Sequence, residues 1–518
     1  MLKVEVSKKN KVILLALLLI QNIVIRIPSI PHEKGFDSFF IHSLANSITA
    51  FGQANWWVNW FSISGLYPYS YASVLPFSLS GFSQLIGLTG IYMEKSILLY
   101  SILIGLLSVF TAYVLAGYIY EDFLFKYLTA FFFSTSQGIL VFSTWEISSR
   151  GLFLILLPLF IFILLSKIGN SKKIALLLIC GVFLSATHHY FYFLVPFTTI
   201  YLVLLLFSKI FPNKIKYKNS HYNSNYLYII GLVTVGLIPF VTKSMIKSGS
   251  RYSWIIDMLI MNTRYIGPLI VFAISGMTYL ILKKNKKIEE WYILIVMLVL
   301  IPFNYNDIYG TFIILLYLII FTSVAFRNLL DASHKSTIYK LCIIVLILAF
   351  TTFSSYYNHE RTKDNLGDSW FMQDSTYSAS VWSNKYIPEN THGFGIGESN
   401  RLFSASNGHP IMPIGGASDL AYGFFDRSEI EVVKISPKSA HFYFEGPYSV
   451  ENETKIPGKI GWILENDIDH KSVKSILDGY DLSYFIMPST HSGLGIQSIR
   501  SKKSSIFDDG GISIWIID

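Results

Sequence analysis

Along the first 354 positions apolar residues fall into long, nearly uninterrupted runs, and beyond them into short alternating ones, so two kinds of element are predicted. The long runs lie at roughly 12–27, 96–119, 124–142, 151–166, 174–187, 191–208, 227–245, 266–282, 290–303, 311–326 and 338–354. Each is long enough, or nearly so, to cross the roughly 30 Å of hydrocarbon in a bilayer as a helix. The short runs, such as Ile411 to Ile414, Ile430 to Ile435, Tyr484 to Met487 and Ile512 to Ile517, are bounded by turn residues and read as strands. The fold class expected is therefore a polytopic α-helical membrane protein of about eleven transmembrane helices, residues 1–354, followed by a C-terminal extracytoplasmic mixed α/β domain, residues 355–518.

Charge orients these spans. Lys167, Lys172 and Lys173, then Lys209, Lys214, Lys216 and Lys218, then Lys283, Lys284, Lys286 and Lys287, and finally Arg327 and Lys335 occupy four loops that fall on one side if the N-terminus is inside. That is the positive-inside pattern. The opposite side then receives the long loop 28–95, the short loop Ser143 to Arg150, the turn His188-His189-Tyr190, the loop 246–265 and the C-terminal region. Segment 74–92 is apolar but broken by Pro76 and several Gly and Ser residues, so it reads as an interfacial stretch of the first outer loop; the alternative is a short span, which would invert every later assignment and put the lysine loops outside.

Composition agrees. The chain of 518 residues is 52% hydrophobic, 16% aromatic and only 14% charged, which excludes an ordinary soluble protein and suits extensive interfacial surface. The net charge of +8 is gathered in the loops just named, which argues for topology signals and against a nucleic-acid-binding stripe. Cys180 and Cys342 both lie inside apolar runs and are expected to be packing residues, with no disulfide to staple the C-terminal region. The chain carries no Walker loop, zinc-protease helix, dinucleotide glycine fingerprint or nucleophile elbow.

The chemistry-bearing residues share the outer side. Asp37, in Gly35-Phe36-Asp37-Ser38, is either an N-terminal cap for the helical run Ser38 to Ala50 or a catalytic carboxylate, acting as base or as ligand to a divalent cation. Glu146 and Arg150 either pair across one helical turn or serve as a second hard oxygen ligand and a phosphate-binding guanidinium. His188 and His189 are either interfacial anchors or contacts to a lipid-linked phosphate or metal, and Arg251 with Tyr252 is a further phosphate-binding candidate.

With those residues placed, the chain resembles the GT-C superfamily of polytopic glycosyltransferases, and within it the catalytic subunits of oligosaccharyltransferases. The resemblance rests on order: Gly35-Phe36-Asp37, Tyr67-Pro68, the acidic short loop Ser143 to Arg150 followed by Gly151-Leu152-Phe153, Thr187-His188-His189, and the C-terminal region 355–518. It implies an inverting glycosyltransferase in the cell membrane that moves a sugar or oligosaccharide from a polyprenyl-phosphate donor to a protein or glycan acceptor. It also implies Asp37 as the catalytic residue, activating the acceptor or binding metal, and Tyr67, Arg150, His188, His189 and Arg251 as substrate-binding residues; a magnesium or manganese ion held by Asp37 and Glu146 is what the residues themselves offer. Two departures stand out: the family's second acid aligns with Ser148, and the Trp-Trp-Asp-Tyr-Gly segment of its C-terminal domain is absent. The competing reading is a non-catalytic transporter or envelope scaffold, which an inert Asp37 substitution would favour.

Overall fold

The computed structural model describes residues 7–210, 262–360 apart from 268, 307 and 333–336, and 370–517 apart from 389–390, 397–402, 404, 406–410, 413–416, 424–430, 438–445 and 451–455. The apolar run 227–245 and the candidate Arg251 lie outside the described residues.

The other ten long runs all become helix, with shifted edges. In chain order they are α1 (Lys8–Val24), α4 (Met93–Ile119), α5 (Phe123–Thr135), α7 (Ser149–Leu165), α8 (Asn170–Ser185), α9 (Leu194–Ile210), α10 (Ile270–Leu282), α11 (Ile288–Asn306), α12 (Ile308–Ala332) and α13 (Thr337–Glu360). Between them lie α2 (Phe36–Phe51), α3 (Val74–Ile86) and the single turn α6 (Gln137–Leu140). Run 124–142 is not one helix: Ser136 takes an extended backbone (φ −65°, ψ 143°), ends α5 and starts α6. Segment 74–92 is mostly the 13-residue helix α3.

Among the described residues, Gly90–Ile119, His189–Ile210 and Phe312–Leu330 have both the length and the apolar composition to cross a membrane. Aliphatic side chains of α8 and α9 face outward, Ile179 at 68%, Val182 at 69% and Val195 at 64% exposure. Helix surfaces of that kind would be costly in water and are ordinary against lipid. Cys342 is exposed in the same way on α13, so of the two cysteines only Cys180 is partly packed. The interior is a continuous core built from α4, α5, α7, α11 and α12, with Phe131, Phe153, Tyr292 and Tyr317 at its centre.

Past residue 370 the chain forms helix α14 (Asp374–Tyr386) and a five-stranded mixed sheet. Its strands are β1 (His392–Gly395), β2 (Ile411–Met412), β5 (Leu482–Pro488), β6 (Ser505–Asp508) and β7 (Ile512–Ile516), in the order β2-β1-β5-β7-β6. β1 runs parallel to β2 and β5, while β7 is antiparallel to β5 and β6. β3 (Val432–Lys434) and β4 (Tyr448–Val450) make a separate antiparallel pair. Strands thus form where the alternation placed them, because residues such as Phe485 and Met487 bury one face of β5 while Tyr484 and Ile486 bury the other.

The two parts meet through α2. Its buried face joins Leu44 and Ile48 to a core with Phe394, Leu420 and Phe485. Polar ties fix the register: Asn46 donates to the Ala405 carbonyl (2.6 Å), Asn55 to that of Ala421 (2.8 Å), and the Tyr422 hydroxyl to that of Ser43 (3.0 Å).

Candidate functional site

Asp37 is the second residue of α2, half-buried, and it does not cap the helix. The N-cap is Gly35, at φ +97°, a conformation that glycine adopts without strain. A second reason demands glycine there: a Cβ would lie 2.6 Å from the Glu146 carboxyl carbon. The absence of a side chain is what lets the short loop Ser143 to Ser148 press against the start of α2.

Backbone bonds lock that contact from both sides. The Lys34 amide donates to the Trp145 carbonyl (3.1 Å), and the Ile147 amide to the Ser38 hydroxyl (3.3 Å). On the far side the Gly35 amide donates to the Trp370 carbonyl (2.8 Å) and the Met372 amide to that of Glu33 (3.2 Å), so residues 33–35 run antiparallel to 370–372. The Trp145 indole donates to the Glu94 carbonyl at the start of α4 (2.8 Å). Beneath the loop, the fully buried Arg26 donates to the Ser143 hydroxyl (3.1 Å), the Ser134 carbonyl (2.9 Å) and the Asn22 side chain (2.7 Å), tying α1, the end of α5 and the loop together.

Within this frame Ser148 donates its hydroxyl to Asp37 Oδ2 at 2.8 Å. The Ser148 hydroxyl oxygen also caps α7, accepting the Arg150 amide at 3.3 Å. Glu146 precedes α7 and so does not pair with Arg150 across a helical turn. Its carboxyl is buried, and Oε2 has no hydrogen-bond partner among the described residues. Burial pushes this group up to about 8, helped by repulsion from Asp37 and opposed by Lys34 and Arg150. Tyr71 is the tyrosine that faces Asp37, Ser149 and Arg150, its hydroxyl pushed up by burial first and by Asp37 second. Tyr67 contacts Tyr448, with ring centroids 5.3 Å apart, and bonds Ser70.

Arg150 projects between Phe142 and Phe312, its guanidinium carbon 5.6 and 5.3 Å from their ring centroids. His188 and His189 stand close by, rings 4.0 Å apart. Burial, the neighbouring His189 and Arg150 together depress His188 well below the usual histidine range, so its ring is neutral at pH 7. Its Nδ1 accepts the Tyr190 amide (3.2 Å), which leaves Nε2 as the N–H.

The structure thus brings Asp37, Glu146, Arg150, His188 and His189 into one electrostatically coupled cluster and adds Ser148 and Tyr71, which the sequence reading did not select. A signal for Ser148 did exist, since it stands where the family has its second acid. For Tyr71 there was none beyond its place four residues after Tyr67.

The donor set fits a divalent cation poorly. A hard cation takes about six oxygen ligands and prefers several charged ones. Among the described residues no third His, Cys, Asp or Glu joins Asp37 and Glu146 into a group that could hold a metal ion.

No protein-family model matches the chain, and no curated protein matches it in sequence. Solved structures do match in fold. The oligosaccharyltransferase AglB from Archaeoglobus fulgidus, in complex with an inhibitory peptide and a dolichol-phosphate, superposes with a TM-score of 0.56 at 12% identity, over 92% of this chain and 69% of that one. ArnT from Cupriavidus metallidurans, bound to undecaprenyl phosphate, superposes at 0.54 and 10% identity over 99% of both chains. In fold, this chain distantly resembles the GT-C glycosyltransferases. The arabinofuranosyltransferase AftD from Mycobacteria extends the GT-C likeness, at 0.51 and 12% identity over 99% of this chain and 42% of that one. The likeness is one of fold and carries the multi-pass helical architecture with it. A structure of an Archaeoglobus fulgidus oligosaccharyltransferase in complex with zinc and sulfate also superposes, with a TM-score of 0.57 at 13% identity over 92% of this chain and 68% of that one.

Proposed function

We propose that the protein is a membrane glycosyltransferase that moves a sugar or oligosaccharide from a polyprenyl-phosphate carrier to an acceptor on the outer face of the membrane. The observation that carries this reading is the meeting of Asp37, at the start of α2, with the Arg150 and His188 group across the loop Ser143 to Ser148. A carboxylate that can take a proton and a guanidinium that can take a phosphate are brought together at one end of the bundle.

In this reading Asp37 is the general base. The acceptor's hydroxyl or amide attacks the anomeric carbon from the face opposite the leaving group, its proton passing to Asp37. The bond from the anomeric carbon to the carrier phosphate breaks, and the polyprenyl phosphate departs with the bonding electrons and with inverted configuration left behind. Arg150 meets the charge that grows on that phosphate, and the neutral His188 and Tyr71 donate hydrogen bonds to it or to the sugar. Ser148 holds one Asp37 oxygen, which orients the other towards the acceptor. The poor fit of Asp37 and Glu146 to a hard cation favours a route in which Arg150 supplies the positive charge.

In this scheme residues 28–95, the C-terminal region 355–518 and the whole cluster face the outer side of the membrane, a reading supported by the four basic loops that the charge pattern assigns to the inner side. Profiling glycans and lipid-linked sugars in a deletion strain tests it. Loss of one glycan with build-up of its lipid-linked donor, restored by the wild type and not by Asp37→Asn, is the result expected. Restoration by Asp37→Asn would return the protein to the transporter or scaffold class.

A further inference from the structure

Beside the cluster lies a second set of titratable groups with no part in the transfer chemistry. The His32 ring stands between two carboxylates, Nδ1 3.1 Å from Glu94 Oε2 at the start of α4 and Nε2 3.1 Å from Asp374 Oδ1 at the start of α14. Its face stacks on Tyr377 of α14 at 4.1 Å, and the Tyr377 hydroxyl bonds Glu94. The Glu94 side chain is only 5% exposed and the His32 ring 12%, whereas Asp374 is 80% exposed.

Carboxylate oxygens only accept, and a neutral imidazole donates through one nitrogen only. Two hydrogen bonds to two ionised carboxylates therefore require a proton on each ring nitrogen. Were that extra proton on Glu94, the count would be the same. Without it, a ring lone pair faces a carboxylate oxygen, and the buried Glu94 charge loses its counter-ion. The other titratable groups on this side are Glu33, which feels both Glu94 and His32 and is held up mainly by burial; His42, whose Nδ1 bonds the Glu33 carboxyl at 3.0 Å; and Tyr92, which acts on Tyr377.

The location gives the proton a task. His32 is the residue before the stretch Glu33 to Gly35 that pairs with Trp370 to Met372, and its partner Asp374 follows that second stretch by two positions. We propose that His32 is a positioning residue, a protonation-dependent clamp that keeps residues 370–374 against residues 33–35 and so fixes Gly35 and, through it, Asp37. In the protonated state the bridge between α4 and α14 is closed; when the proton leaves, the C-terminal segment is released from the loop that carries Asp37. The device rests on the proposed transfer reaction only for its use, and not for its existence.

Hydrogen–deuterium exchange on the full-length protein in lipid nanodiscs tests it without any turnover. After correction for intrinsic exchange rates, the amides of Gly35 and Met372 are expected to lose protection by about tenfold or more between pH 5 and pH 8, the range over which histidine changes charge. Asp374→Asn keeps a partner for either state of the ring, because the new amide can donate to a bare nitrogen, so its protection is expected to be flat across that range. His32→Gln is expected to show low protection throughout. A flat wild-type profile would overturn the clamp, as would an Asp374→Asn protein with the wild-type slope. Asp374 is exposed, so its variant folds even if His32→Gln does not. Loss of all transferase activity in a protein that still shows the pH-dependent protection would sink the proposed reaction and leave the clamp standing.

Discussion

Both ends of the helix bundle bury a carboxylate, and α4, whose 27 residues span about 40 Å, separates them. At the Tyr120 end, Glu290 of α11 is fully buried and fully served: it accepts the Tyr120 hydroxyl, the Lys283 ammonium and the Lys287 amide. Around it Lys286 donates to the Ile281 and Lys283 carbonyls at 2.9 and 2.6 Å, and Arg327 lies 4.7 Å over the Tyr120 ring. At the Glu94 end, Glu146 keeps one oxygen without a partner among the described residues and is pushed up to about 8 beside a second carboxylate. A satisfied network holds helices together, and a frustrated one stores chemical potential for a substrate. The contrast argues that the first end is architecture and the second is the place where something binds.

The contrast breaks first at Asp37. Asp37→Asn keeps the size and the Ser148 contact while removing the base, so transfer is expected to fall by about 10²- to 10⁴-fold with unfolding temperature little changed. Recovery of glycan in a complemented deletion strain measures it, and wild-type recovery would end the comparison. Next comes Gly35→Ala, which puts a side chain at φ +97° and 2.6 Å from the Glu146 carboxyl carbon. A stability loss of about 1–3 kcal/mol is expected in thermal unfolding, along with a fall in transfer.

Glu146→Gln sharpens the point through pH. The Glu146 carboxyl is held above its unfolded value of 4.5. The native state therefore binds the proton more tightly, and the stability this contributes is present below about pH 4.5 and is lost as pH rises towards 8. The wild type is expected to lose stability over that window relative to Glu146→Gln, and parallel melting curves against pH would contradict the account. Smallest in its effect on transfer is Glu290→Gln. It should cost stability, on the order of 3–5 kcal/mol for a broken buried pair. Turnover per folded molecule should stay at the wild-type level, and a drop there would show that the two ends are coupled.

How much of this the sequence disclosed follows from range. The helices were legible because an unbroken apolar run is a local signal, and the strands at Tyr484 to Met487 and Ile512 to Ile517 because alternation is local too. The break at Ser136 was hidden, since apolar residues continue on both sides of it. Asp37, Glu146, Arg150 and the histidine pair could be picked out as polar residues crowded at the ends of apolar runs. The Ser148 contact spans 111 residues, and the His32 bridge to Asp374 spans 342. Apart from the family resemblance at Ser148, no short pattern marks such partners, and an exposed aspartate carries no compositional signal that it will be one.

The antiparallel contact of residues 33–35 with 370–372 bears on how the protein is made. During synthesis the segment that holds Asp37 emerges more than 300 residues ahead of the strand that fixes its backbone. A nascent chain thus carries the described helices of the bundle with an unset first loop, and the proposed chemistry becomes possible only when the last third of the polypeptide folds back onto the beginning. On the proposed function, membrane insertion and activation are separate events in the life of the molecule, with the second unable to precede the first.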